Sequence, residues 1–177
     1  MYVKTKLIEF MTAEEIIRML NLKPLPGEGG HYCETWRSEH IVPVSALPGG
    51  YSTDRSLETC IYYLITPDSF SEMHKLPGPE IWHFYLGDPA EQIQISPKGE
   101  IKQYVLGQEI MQNQQLQVVV PANTWQGTRL AAGGKFALFG TTMSPGFEFP
   151  DYVPGKREEL SRKYPGHKTL IQKYFHS

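Results

Sequence analysis

A chain of 177 residues has the length of one ordinary domain and can build a substantial core. Its formal net charge is −2, and its lysines and arginines form no basic block, which argues against a nucleic-acid polymer or an acidic membrane as partner. No apolar run approaches the roughly 20 residues that cross a bilayer, and residues 1–10 lack the pattern of a signal peptide. Cys33 and Cys60, without a C-x-x-C spacing, predict neither a disulfide framework nor structural zinc, so we expect a cytoplasmic protein.

The first predicted element is a short helix. Thr12 is followed three residues later by Glu15, which is the spacing of a capping box. An apolar stripe follows from Ile16 to Leu20, and Pro24 lies beyond its end. We therefore expect this helix to pack with one face on the outside of the main body.

After the turn at residues 24–30 the hydrophobic pattern changes to period two, which indicates strands. Residues 58–65 predict a strand buried on both faces. Residues 92–95 predict a half-exposed strand whose glutamines face water. The turn at 131–134 predicts a hairpin. Further strands are expected at 81–86, 101–106, 116–120, 124–130 and 135–143, and a short helix at 156–164.

Strands spaced by about 10 residues, with turn signals between them, predict a sandwich or barrel. Most of the 16 glycines and 14 prolines fall between the predicted strands, as this architecture requires. We expect an all-β fold in a single domain over residues 1–177, with its core at about 28–150.

Residues 74–87 hold the residue types from which proteins build acid–base and metal sites. Two imidazoles, His74 and His83, and the carboxylate of Glu80 lie within ten residues. In a regular strand Glu80 and Trp82 share one face, whereas His83 lies on the other. If Glu80 points inward, desolvation raises its pKa unless a cation or a metal pairs with it.

This segment resembles the first cupin motif. Glu80, six further residues and then Gly87 match the second half of that motif. His74 stands at the first of its two histidine positions, and Leu76 stands at the second. In the stretch that matches the second cupin motif, Gln126 replaces the histidine.

The wider sequence is similar to the Cupin-5 family of small, mostly uncharacterised cupins, over residues from about 10 to 165. The resemblance implies a double-stranded β-helix jelly roll with an N-terminal helix, a short C-terminal helix and a pocket inside the barrel. It also implies a homodimer. The matching stretches include residues 28–30, Glu34 and Arg37, 61–64, 80–85, 87–89, Val120-Pro121 with Trp125, and 145–149.

A metal-binding cupin typically uses three histidines and one glutamate. With Leu76 and Gln126 at two ligand positions, the remaining set of His74, Glu80 and Gln126 predicts at most a weak divalent-metal site, to which His83 could add a ligand if the strand is irregular.

The interpretation that we favour has no tight metal and resembles the cupins that act on nucleotide-linked sugars. His74 is then the base, and Tyr63, Glu80 or Glu148 is its partner or the acid. The opposing interpretation of His74 is a turn residue, because residues 71–79 are rich in turn formers.

The remaining candidates would form the pocket wall. Trp82 and Trp125 are either packing residues or aromatic walls, and Gln126 is a neutral donor or a surface residue. Arg37 either clamps an anion or pairs with Glu34 or Glu58. We predict a small polar ligand, either a sugar or a nucleotide derivative, and an epimerase-, isomerase- or dehydratase-like activity. The alternatives are a divalent-metal-dependent enzyme and a non-catalytic binding or sensor module. The predicted ligand-binding residues are Trp82, His83, Trp125, Gln126, Glu148 and Arg37.

Overall fold

The computed structural model describes residues 11–176, so the prediction that residues 1–10 are not a signal peptide falls outside the described residues. Within 11–176, thirteen strands and three α-helices follow one another along the chain. They are α1 (Ala13–Met19), β1 (Lys23–Pro24), β2 (His31–Arg37), β3 (Ile41–Val42), β4 (Arg55–Ser56), β5 (Thr59–Ile65), β6 (Ser71–Lys75), β7 (Glu80–Gly87), β8 (Ala90–Ile95), β9 (Ile101–Leu106), β10 (Gln117–Val120), β11 (Trp125–Leu130), β12 (Ala137–Met143), β13 (Val153–Pro154), α2 (Arg157–Lys163) and α3 (Lys168–Gln172).

Two antiparallel sheets face each other. The first has the order β1-β2-β5-β12-β7-β10, and the second has the order β13-β6-β11-β8-β9. Apart from the pairs β1–β2 and β8–β9, neighbours in each sheet are distant along the chain, as in a double-stranded β-helix. The predicted jelly roll with terminal helices is confirmed. No helix within residues 11–176 has both the length and the apolar character that crossing a membrane requires.

The N-terminal helix begins with the predicted capping box. The Glu15 backbone N–H donates to Thr12 Oγ1 at 3.2 Å, and the Thr12 N–H donates to Glu15 Oε2 at 2.9 Å. Ile16 is buried against Leu64 and Leu138 on the outer face of the first sheet. This packing buries both faces of β5, as the sequence predicts.

The main core lies between the two sheets, where Trp82, Phe84 and Phe139 of the first sheet meet Leu106 and Leu130. A separate cluster lies on the outer face of the second sheet, under α2 and α3. Both sheets therefore carry helices on their outer faces and share one interior.

The prediction that β8 is half exposed is wrong. Ile93 and Ile95 face outward beneath the C-terminal helices, and the polar face carrying Gln92 and Gln94 is turned into the barrel. The buried amides are satisfied, because Gln94 Nε2 donates to Gln92 Oε1 at 2.8 Å and Gln92 Nε2 donates to Thr128 Oγ1 at 3.0 Å. The side chains of β8 alternate as predicted, but the apolar face is the outer one because the C-terminal helices cover it.

The predicted hairpin at residues 131–134 is also wrong. A turn is present there, with the Gly134 N–H donating to the Ala131 carbonyl at 3.0 Å. The strands on either side do not pair with each other, because β11 belongs to the second sheet and β12 to the first. A further departure is β6, which is a strand at residues where turn formers dominate the sequence.

Candidate functional site

A cavity of about 280 Å³ opens into the barrel along the inner face of the first sheet. Its floor comes from β2, β5, β7 and β12, and its rim comes from the loops before β2 and after β12. Most of the lining is apolar or aromatic, and the polar groups are concentrated in four glutamates and one arginine. The lining residues are Leu25, Glu28, Tyr32, Glu34, Arg37, Thr59, Ile61, Tyr63, Leu76, Glu80, Trp82, Thr141, Met143, Phe147, Glu148 and Phe149.

The strand β7 carries two of the predicted site residues into this cavity. Glu80 and Trp82 are buried on its inner face, as strand alternation requires. Both bind the side chain of Gln126, which comes from the opposite sheet: Trp82 Nε1 donates to Gln126 Oε1 at 3.1 Å, and Gln126 Nε2 donates to Glu80 Oε2 at 2.6 Å. The amide thus joins the two sheets and orients the carboxylate.

Glu80 is a buried carboxylate in a negatively charged neighbourhood. Burial raises its pKa above the ordinary value, and the charge of Glu28 raises it further. The charge of His74 and the hydrogen bonds from Gln126 and Thr141 act in the opposite direction without cancelling the rise. Glu80 therefore keeps its proton to higher pH than an exposed glutamate.

His74 lies behind the cavity wall rather than on it. Its Nδ1 lies 2.8 Å from the Glu72 carbonyl oxygen, which can only accept, so Nδ1 carries a proton. Its Nε2 lies 3.9 Å from Glu28 Oε2, and its ring stacks on Tyr152 at 5.1 Å between centroids. Glu28 lines the cavity and accepts from Ser71 Oγ at 2.8 Å, so a ligand would meet Glu28 before His74.

Tyr63 forms an aromatic wall next to Trp82, with the two rings edge to face at 5.5 Å between centroids. Its hydroxyl donates to the Gly29 carbonyl at 2.8 Å. Burial, and then the charge of Glu28, raise the pKa of this phenol well above its ordinary value. Tyr63 is therefore a neutral hydroxyl at physiological pH.

Arg37 lies at the mouth of the cavity with its donors already engaged. Nε and Nη2 donate to the two carboxylate oxygens of Glu34 at 3.0 and 2.8 Å, and Nη1 donates to Glu148 at 2.6 Å. Nη2 also reaches the Phe147 carbonyl oxygen at 3.2 Å. The Glu34 hydrogen bonds are the main cause of the raised pKa of Arg37. This arrangement ties β2 to the loop after β12.

Two predicted ligand-binding residues lie away from the cavity. His83 is on the outer face of β7, where Nδ1 lies 3.2 Å from the Gln117 side-chain nitrogen. Trp125 packs on the outer face of the second sheet, with the ammonium of Lys75 5.0 Å from its ring centroid. Neither side chain is placed to touch a ligand in the cavity.

The side chains at the cupin metal positions do not fit a transition metal. The described residues contain no group of three or more His, Cys, Asp or Glu side chains arranged to hold an ion. Since an indole nitrogen only donates, Trp82 holds Oε1 of Gln126, and the NH₂ end of the amide faces Glu80. Leu76 is aliphatic and supplies no ligand atom. At two of the four ligand positions of a metal-binding cupin, this chain therefore has an N–H donor from Gln126 and an alkyl group from Leu76, and neither has a lone pair to give to a metal.

Glu28 lines the site but is not among the catalytic and ligand-binding residues predicted from the sequence. The family resemblance includes Glu28, but the sequence offers no reason to bring it from the loop before β2 to His74 in β6. The structure does so through the backbone, because the Glu72 N–H donates to the Glu28 carbonyl at 3.0 Å. The rim residues Phe147 and Phe149 were missed for the same reason, since a loop gives no periodic signal.

Known proteins resemble this chain along most of its length. A family model described as Cupin superfamily (DUF985) matches residues 14–153. The uncharacterized protein YML079W of Saccharomyces cerevisiae is 30% identical over 157 residues, covering 84% of this chain and 78% of that protein. A hypothetical protein from Leishmania major is 30% identical with a TM-score of 0.83, covering 94% of this chain and 100% of that one. Protein SO0799 from Shewanella oneidensis is 32% identical with the same TM-score, covering 94% and 99%.

Proposed function

Since the chain belongs to the cupin superfamily, whose barrel offers an interior pocket, we propose that it binds a small polar metabolite, a sugar or nucleotide derivative, in its cavity. The observation that supports this proposal is that aromatic rings and carboxylates line the same cavity. Aromatic faces from Tyr63 and Trp82 stand beside the carboxylates of Glu28 and Glu80 in about 280 Å³ of space. Aromatic faces suit a sugar ring or a base, and carboxylates accept from hydroxyl or amino groups.

The same groups support proton transfer without a metal. Glu28, with His74 behind it, can accept a proton from a ligand carbon or hydroxyl. Glu80 holds its proton to raised pH and can return one from its own position on β7. Tyr63 supplies a neutral hydroxyl. We therefore propose an epimerase-, isomerase- or dehydratase-like reaction in which the proton moves from substrate to Glu28 and from Glu80 to product.

The binding step is tested with a panel of monosaccharides, nucleosides and nucleotide sugars, using thermal shift followed by calorimetry. Ile61→Trp fills the cavity from β5 and is expected to abolish binding, whereas Val119→Trp adds the same ring at a half-exposed outer position and is expected to leave it unchanged. Ile61→Phe is a milder version if the larger ring prevents folding. Equal binding by the native chain and a folded Ile61 variant would contradict a ligand in this cavity.

The chemical step is tested by incubating the bound ligand with the protein in D₂O and following its C–H signals by proton NMR. An epimerase or isomerase replaces the transferred hydrogen with deuterium, and Glu28→Gln and Glu80→Gln should each stop the exchange. Binding without exchange, dehydration or any other turnover would instead identify a binding or sensor module.

We also propose that the chain forms a homodimer through the edge of β2. Among the described residues, β1 pairs only with the beginning of β2, at His31 and Tyr32. Nearby apolar side chains are exposed, with Trp36 at 56% and Ile41 at 59%. Analytical ultracentrifugation should show a dimer at micromolar concentration and a shift toward monomer for Trp36→Lys. A native monomer would contradict this proposal.

A further inference from the structure

The charges that line the cavity are strongly unbalanced. Four carboxylates line it, those of Glu28, Glu34, Glu80 and Glu148, whereas among the described lining residues Arg37 is the single permanent cation. If His74 behind Glu28 and Glu80 itself are both protonated, three carboxylates still face two positive charges. Even with these two groups protonated the net charge around the cavity is negative, and it is more negative when either of them loses its proton.

Arg37 does not offer its charge to a ligand. Its Nε and Nη groups donate to Glu34, Glu148 and the Phe147 carbonyl at 2.6–3.2 Å. These contacts use four of the five N–H donors of the guanidinium, so a phosphate or carboxylate that approached it would also meet two bound carboxylates of like charge. At the mouth the single guanidinium faces the two carboxylates of Glu34 and Glu148, so this part of the lining adds no net positive charge, and Glu28 and Glu80 are the charges that a ligand meets inside.

Glu28 comes from the loop before β2 and Glu80 from β7, and both line the same cavity. The charge of Glu28 is one cause of the raised pKa of Glu80. Beside them stand the rings of Tyr63 and Trp82. A hydroxyl group could donate to either carboxylate, but it would leave the net negative charge of the cavity uncompensated. A cation at this end of the cavity offsets that charge, and the electron-rich rings that line the cavity favour a cation as well.

We infer that the part of the ligand held at the inner end of the cavity carries a protonated amine. This inference rests on the proposed function, since it names the chemical class of ligand for the same cavity. Among sugar and nucleotide derivatives it favours an amino sugar, with any phosphate remaining outside the mouth.

The test compares ligands that differ in charge and little else. One series is glucosamine, glucose and glucuronate, and the second is choline, its neutral isostere 3,3-dimethylbutan-1-ol and the anion 3,3-dimethylbutanoate. Calorimetry at fixed pH and ionic strength measures each affinity for the native chain. We expect the cation to bind at least about tenfold more tightly than the neutral member of its series, which corresponds to about 1.4 kcal/mol, and the anion to bind most weakly.

Two carboxamide variants locate the effect. Glu28→Gln and Glu80→Gln should each reduce the affinity for the cation by a larger factor than the affinity for the neutral member, because the amides nearly keep the shape of the side chain and remove its charge. Glu158→Gln removes an exposed carboxylate from α2 and should leave the preference intact. Circular dichroism and thermal melting establish that each variant is folded.

The outcomes separate the inference from the function on which it rests. A neutral or anionic member that binds as well as the cation in both series would overturn the amine inference and leave a metabolite-binding cavity. A cation preference that survives both variants would overturn the assignment to Glu28 and Glu80. Absence of binding by every member of both series at millimolar concentration would overturn the amine inference, and absence of binding by the whole panel of monosaccharides, nucleosides and nucleotide sugars would overturn the proposed function.

Discussion

The indole N–H of Trp82 donates to Gln126 Oε1 at 3.1 Å, and this bond determines which end of the amide faces Glu80. Because the oxygen is held by the indole, the NH₂ group lies 2.6 Å from Glu80 Oε2. A glutamine at a histidine position of a cupin motif thus acts as a hydrogen-bond donor to the motif's glutamate. The two motifs meet through an amide where a metal-binding cupin would place an ion.

The first prediction is that restoring the two missing histidines creates a metal site. The Leu76→His, Gln126→His double variant would place two imidazoles beside His74 and Glu80, and imidazole and carboxylate are good ligands for Mn²⁺ and Zn²⁺. We expect stoichiometric metal after chelator treatment and reloading, measured by elemental analysis, and weak or no retention by the native chain. Leu76→Phe, Gln126→Leu is the matched control without ligands. Tight stoichiometric metal in the native chain would contradict this account.

A second prediction concerns the pH dependence of stability. The pKa of Glu80 is raised in the folded protein, so its contribution to stability is complete below the unfolded value near 4.5 and is lost as pH rises through the folded pKa. In Glu80→Gln the side chain does not ionise, so this loss of stability with rising pH does not occur. The free energy of unfolding of Glu80→Gln relative to the native chain should therefore increase from about pH 4 to neutral, by about 1.4 kcal/mol for each unit of the pKa rise.

Urea unfolding at a series of pH values measures this difference, with Glu158→Gln as the exposed control whose difference should stay flat. A gap between Glu80→Gln and the native chain that is independent of pH would show that Glu80 ionises as easily in the folded as in the unfolded state.

A third prediction concerns the ion pair that fastens the cavity rim. Arg55 in β4 donates through Nε to Asp151 Oδ2 at 2.9 Å and through Nη2 to Oδ1, and both side chains are almost fully buried. Asp151 directly follows the rim segment that carries Phe149. Removing one partner leaves the other charge buried and unpaired. Arg55→Met and Asp151→Leu should therefore each lower the free energy of unfolding by about 3–5 kcal/mol.

The double variant Arg55→Met, Asp151→Leu leaves no unpaired buried charge and should recover a large part of the lost free energy of unfolding. Urea denaturation of the four proteins gives the coupling energy directly. Additive losses in the double variant would mean that each side chain stabilises the fold independently of the other.

The sequence predicted the elements whose side chains alternate regularly. β9 was predicted with its observed bounds, and α1 was predicted from Thr12 and Glu15 because a capping box is a local interaction. The inner position of Glu80 and the outer position of His83 follow from strand parity alone. Each of these features depends on neighbours within a few residues along the chain.

The remainder depends on contacts between distant segments. Gln92 and Gln94 are predicted to face water but are buried in the barrel, because α2 and α3 cover the apolar face of β8. Glu28 reaches the site because its loop is hydrogen-bonded to β6. The sequence predicts the helix at 156–164, but neither its packing on β8 nor the loop contact has a local signature, so a single sequence could not place these residues.

The last prediction tests why a glycine pair precedes β2. Gly30 has a φ of +70°, and a Cβ added there would lie 2.5 Å from Tyr63 Oη. The turn therefore packs directly against a residue of the cavity wall. Gly30→Ala should therefore cost at least about 1–2 kcal/mol from the left-handed backbone. It should also weaken ligand binding by displacing Tyr63 from the Gly29 carbonyl. Gly49→Ala is the control, since nothing lies within 4 Å of its added Cβ. Equal unfolding free energies and equal probe affinities for the two alanine variants would show that Tyr63 does not depend on this turn.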